Sequence, residues 1–142
     1  MYSRFSILLA SSFLFSALAF AGTQKVVRNN VTNGSSNVFP AKAGTPVTVK
    51  GTISPTDGRC LDVVPAVEMR LERRMVDPSD PTSIRFDLVT KRVVPLNGSV
   101  NETFTAQSNV DGAYKVTWSP MPNQSTSLVC KFNQDLEVTF TN

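Results

Sequence analysis

No histidine occurs anywhere in the 142 residues. That absence removes the commonest general base, the Ser-His-Asp and Cys-His nucleophile systems, and the usual zinc sites. Cysteine is almost as scarce: Cys60 and Cys130 are the only two, too few to close a tetrahedral zinc shell without carboxylates. Charge of one sign is also lacking. Fourteen Lys and Arg stand against 11 Asp and Glu, a net +3 that includes Arg4, so a nucleic-acid partner is not expected. Beyond the first twenty residues there is no apolar run long enough to span a membrane. Heptads, internal repeats and a convincing helical period are missing too.

What is present begins with Met1 to Ala21. Arg4 lies near the start, Ile7 to Phe20 is apolar apart from serines, and Ala19-Phe20-Ala21 precedes Gly22. A basic start, an apolar middle and a small-x-small end form the pattern of a cleaved secretory signal. About 120 residues then remain, enough for one domain with its own core. An exported chain with an even cysteine count is expected to form one disulfide, Cys60–Cys130; two buried free thiols are the alternative. The expected location is secreted or periplasmic.

The stretch Asp111-Gly112-Ala113-Tyr114-Lys115-Val116-Thr117-Trp118-Ser119-Pro120 organises the mature chain. Asp-Gly reads as a tight turn with Gly at positive φ. Tyr114, Val116 and Trp118 then share one strand face, and Pro120 ends the run. Trp118 is the single Trp, so these three residues are the expected core anchor.

Residues 22–43 are rich in Asn, Thr, Ser and Gly, and read as a flexible leader or an edge strand. From Thr45, Val47, Val49, Gly51 and Ile53 alternate with polar residues; Gly51 suggests a bulge or a close backbone approach. Ser54-Pro55-Thr56-Asp57-Gly58 reads as a turn, with Pro fixing φ and Gly left-handed. Val67, Met69 and Leu71 alternate with Glu68, Arg70 and Glu72, favouring a strand over a helix for Ala66 to Met75. Asp77-Pro78-Ser79-Asp80-Pro81 reads as a surface loop, and Ile84, Phe86 and Leu88 as the next strand. Asn97-Gly98 is the strongest hairpin signal. Ser127 to Phe132 and Leu136 to Phe140 read as two further strands. Short alternating strands between turns imply an all-β sandwich.

Two segments carry a resemblance. Gly44-Thr45-Pro46-Val47-Thr48-Val49-Lys50-Gly51-Thr52-Ile53, followed later by Asp111 to Pro120, resembles the immunoglobulin-like domains of extracellular bacterial proteins. The likeness covers residues 44–142. It implies a single immunoglobulin-like antiparallel β-sandwich and brings no catalytic residues. It departs from the antibody pattern, where a Trp follows the first Cys; here Trp118 lies near Cys130, which implies a peripheral disulfide. A second likeness is to secreted pilus subunits, through the leader and the ending Leu136 to Asn142. Residues 22–37 lack the apolar alternation of a donor strand.

Chemistry-bearing groups are few. Asp77/Asp80, Asp57/Asp62 and Glu68/Glu72 are the nearest carboxylate pairs, and nothing indicates a cleft between them. Asp77, Asp80, Asn109 and Asp111 are loop oxygens without EF-hand spacing, so no metal and no cofactor is expected. Arg70, Arg73, Arg74, Arg85, Lys91 and Arg92 cluster in sequence; on paired strands they would form a stripe able to contact an acidic polymer. Interleaved acids would cancel much of that charge. Five sequons begin at Asn30, Asn33, Asn97, Asn101 and Asn123. The expectation is a non-enzymatic binding or surface-interaction module. Its partner would be another exported protein or a surface polysaccharide. A pilus or surface-layer subunit and a small hydrolase are the alternatives.

Overall fold

A computed structural model describes residues 21–107 and 109–142; apart from Ala21, the expected signal peptide lies outside them. Side chains that alternate between faces commit most of the chain to strands. In order these are β1 (Ala21–Val31), β2 (Gly34–Ser35), β3 (Phe39–Ala41), β4 (Pro46–Pro55), the one-turn helix α1 (Cys60–Val63), β5 (Ala66–Asp77), β6 (Asp80–Pro95), β7 (Val100–Thr105), β8 (Gly112–Met121) and β9 (Phe132–Thr141). They make two antiparallel sheets, ordered β1-β9-β4-β7 and β2-β8-β5-β6, with β3 also on β8. The two sheets form a β-sandwich.

Each inward row is apolar because burial of apolar surface is the main favourable term in folding. Val47, Val49, Ile53, Phe104, Leu136 and Val138 from the first sheet meet Val67, Met69, Leu71, Tyr114, Val116 and Trp118 from the second. Trp118 is 2% exposed and its ring stands edge-on to Phe132, 5.7 Å away at 82°. One polar side chain interrupts the apolar row of β9. Gln134 accepts from Trp118 Nε1 at 2.6 Å and donates to the Val26 carbonyl at 3.3 Å. This relay links the second sheet to both β9 and β1.

Cys60 and Cys130 are disulfide-bonded, with Cα atoms 5.8 Å apart. The bond ties α1 to the loop before β9, at one end of the sandwich and not between the sheet centres. Asp57 caps the turn into α1: its Oδ1 accepts from the Arg59 amide at 3.0 Å, and Arg59 holds its carboxyl below the ordinary value.

Several local expectations are corrected. Asn97-Gly98 closes no hairpin, because β6 and β7 lie in different sheets; Gly98, at φ 127°, turns the chain across the sandwich. Pro78-Ser79 is a tight turn joining β5 to β6, since Asp77 and Asp80 accept hydrogen bonds from Ser79 and Thr82 and close the turn locally. Ser127 to Lys131 is loop, and β9 starts at Phe132. Gly58 and Gly112 are not left-handed; among glycines that role falls to Gly44, Gly51 and Gly98. At Gly51 the close approach is found: φ is 140°, and an added Cβ would strike the Asp135 carbonyl of the neighbouring strand. Residues 21–31 pair along β9, from Ala21 opposite Thr141 to Val31 opposite Phe132.

Candidate functional site

The second sheet turns a charged face outward. Antiparallel register places Glu68 opposite Ser119, Arg70 opposite Thr117 and Glu72 opposite Lys115. Cross-strand partners on one face lie close enough to interact. Arg70 donates to Glu68 at 2.5 Å, Lys91 stands 3.9 Å from Glu68, and Lys115 stands 3.9 Å from Glu72. The Lys115 ammonium also sits 3.8 Å from the Phe86 ring centroid, which holds that ring against the face.

The five arginines singled out from sequence do not form one stripe. Arg70 and Arg74 point outward, Arg73 is opposite the inward Tyr114, and Arg85 and Arg92 lie on the reverse side of β6. Most are engaged: Arg70 with Glu68, Arg73 with Gln107 at 2.8 Å, Arg85 with Asp87 at 3.0 Å. Arg92 bridges the open side of the sandwich, near Glu102 at 3.8 Å, the Thr103 carbonyl at 3.2 Å and the Phe104 ring at 5.5 Å. Strand alternation and a one-residue shift between Leu71 and Glu72 separate residues that are neighbours in sequence.

Beside Trp118 runs a shallow open groove of about 500 Å³, bounded by Arg28 and Asn33 on one side and Arg70, Glu72 and Thr117 on the other. Its floor is set by Gly34, opposite Trp118 in the register. A Cβ on Gly34 would collide with the Trp118 indole and the Gln134 amide. No local pattern singles out Gly34; the signal lies in its pairing partner, Trp118. The groove offers guanidinium and hydroxyl groups but no nucleophile paired with a base. Among the described residues no three His, Cys, Asp or Glu side chains converge on a metal position. The loop oxygens considered for a cation are occupied locally: Asp111 Oδ1 accepts from the Ala43 amide at 2.8 Å, and Asp77 and Asp80 serve their own turns.

The feature that alternation alone did not reveal is the free edge of β6. This strand has 16 residues and pairs only with β5 among the described residues. Its N-terminal half and the end of β5 project past β8, whose last pairing to β5 is Tyr114 with Arg73. On the outward side Ile84 is 54% exposed, Leu88 49% and Val93 59%. No helix among the described residues is long and apolar enough to cross a membrane. All five sequon asparagines are exposed, and none lies on β5 or β6. No family model, curated protein or solved structure matches this chain.

Proposed function

We propose that this chain is an exported, non-catalytic immunoglobulin-like β-sandwich that acts by contact, binding another exported protein along the free edge of β6. The observation that carries the reading is that edge: a long strand paired on one side only among the described residues, with three exposed aliphatic side chains on one face. Such an edge is a template for strand addition, with main-chain hydrogen bonds giving affinity and alternate side chains giving specificity. Export is supported by the sequence pattern of Met1 to Ala21 and by a disulfide of the kind that persists in oxidising compartments, and secreted or periplasmic residence follows from it. Immunoglobulin-like character draws support from Tyr114, buried at the start of β8, whose hydroxyl accepts from the Gln107 amide at 3.2 Å. That is the arrangement of a tyrosine corner. The topology departs from the constant-type sandwich in two respects. The last strand, β9, lies between β1 and β4, with β2 and β3 beside β8 in its stead, and β6 lies beside β5 in the second sheet and not at the edge of the first.

A polysaccharide partner is less well supported. Among the described residues no aromatic side chain is an exposed large apolar one, and most of the arginines are engaged by neighbours. The pilus-subunit reading through strand donation is weakened by the docking of residues 21–31 on their own β9. The test is a photo-reactive phenylalanine analogue at Leu88 in the exported protein, with the same probe at Thr52 on the opposite sheet as control. Protein adducts at Leu88 and none at Thr52 are expected. Absence of protein adducts at Leu88 overturns the reading.

A further inference from the structure

Resting on the reading of β6 as a contact edge, we infer that its occupant is a second copy of the same strand, paired antiparallel about a two-fold axis through Phe86. The argument is self-complementarity in the pentad Ile84-Arg85-Phe86-Asp87-Leu88. In an antiparallel pair related by such an axis, a residue n places after Phe86 faces the residue n places before it in the second copy. Ile84 then faces Leu88, Phe86 faces Phe86, and Arg85 faces Asp87, with each contact repeated by symmetry. Every outward pair is apolar and both reverse-side pairs join opposite charges.

Neighbouring registers fail this match. An axis through Arg85 sets two guanidiniums against each other, and an axis through Asp87 sets two carboxylates together; like charges directly opposite are destabilising. Charged side chains usually guard sheet edges against self-pairing. Here the guards are of opposite sign and equally spaced about the ring, so they select one register in place of excluding all. Arg85 and Asp87 already lie side by side at 3.0 Å and project from the same side of the strand. Both are exposed, so a second copy reaches them without displacing core.

The surrounding structure limits the contact to this region. Val89 is the extra residue where β6 shifts against β5, between the pairs Leu71–Thr90 and Glu72–Leu88, and a bulge of this kind twists the edge away. Pro81 withholds an amide donor at the other end. Between them the Phe86 ring is pinned by Lys115, so it is in place before the second copy arrives. An interface of this kind is isologous and closed, giving a dimer and not a fibre.

Sedimentation velocity over about 1 µM to 1 mM, the range of weak to moderate association, reads the result. The wild-type exported chain, disulfide intact, is expected to show a concentration-dependent dimer. Arg85→Asp alone, or Asp87→Arg alone, replaces two attractive pairs by two repulsive ones and is expected to raise Kd about tenfold or more. The double variant R85D/D87R restores opposite charges and returns Kd to near the wild-type value. An equimolar mixture of the two single variants forms a heterodimer, which a loss of folding could not produce. A chain that stays monomeric overturns the inference. So does a dimer indifferent to the single reversals, or one rescued by neither the double variant nor the mixture. A monomer whose Leu88 probe labels a different exported protein overturns self-pairing while leaving the contact reading standing. A monomer with no protein adduct overturns both.

Discussion

Gln134 shows how one side chain sets the cost of another. An indole N–H in an apolar core needs an acceptor, and Gln134 supplies it while its amide nitrogen reaches the Val26 carbonyl. Trp118→Ala removes the largest buried ring and is expected to destabilise by about 3–5 kcal/mol in denaturant unfolding. Gln134→Leu keeps the volume but strands the Trp118 donor, with an expected loss of about 1–3 kcal/mol. If the Gln134 variant unfolded at the wild-type midpoint, the relay would contribute nothing. Gly34 belongs to the same cluster: Gly34→Ala drives a methyl group into Trp118 and Gln134, with an expected loss of about 1–3 kcal/mol by the same measurement. Trp118 as a core residue was legible in the alternation of β8. Its polar relay was not, because Gln134 sits in a row that otherwise reads as plain apolar alternation.

Strands were legible wherever inward residues repeat at every second place, as in β4, β5 and β9. The strand reading of Ala66 to Met75 held over its helical rival because Val67, Met69 and Leu71 are all buried with period two. Turn chemistry was read less well, since a turn signal reports local backbone preference and not which sheet the next strand joins. Asn97-Gly98 is the clear case: the turn exists, but it carries the chain between sheets. Asp77 to Pro81 erred the other way, toward loop, because two prolines hid a tight hairpin. Its tip makes a pH prediction. Hydrogen bonds from Ser79 and Thr82 hold the Asp77 and Asp80 carboxyls below the ordinary 3.8. Groups with lowered folded values stabilise the folded tip above the unfolded value and lose that contribution as pH falls through the folded one. The amide protection factors at Ser79 and Thr82, which divide out the base catalysis of exchange itself, are therefore expected to be flat above about pH 4 and to fall only in more acidic solution. A loss of protection near neutrality would mean that these carboxylates do not hold the turn.

At the scale of the whole molecule, the free edge that carries the functional reading was illegible in the sequence. β5 and β6 alternate in the same way, and only the sheet order decides that one is central and the other terminal. The disulfide was legible from the cysteine count and the expected compartment, and its peripheral position from the way the placement of Trp118 departs from the antibody pattern. That position decides what reduction does. The bond closes a separation of 70 residues and joins α1 to the loop before β9, where Cys60 is buried and Cys130 packs against the margin of the core. Its contribution is mainly to restrict the unfolded chain, on the order of 2–4 kcal/mol. Reduction is then expected to lower the unfolding free energy by that amount while the far-UV β spectrum and the near-UV Trp118 signal below the transition stay unchanged. The edge of β6 lies on a different element, so reduced protein below its transition should keep the Leu88 adducts of the oxidised form. Loss of the Trp118 signal on reduction, before any unfolding transition, would show that the bond holds the core together and not only its rim.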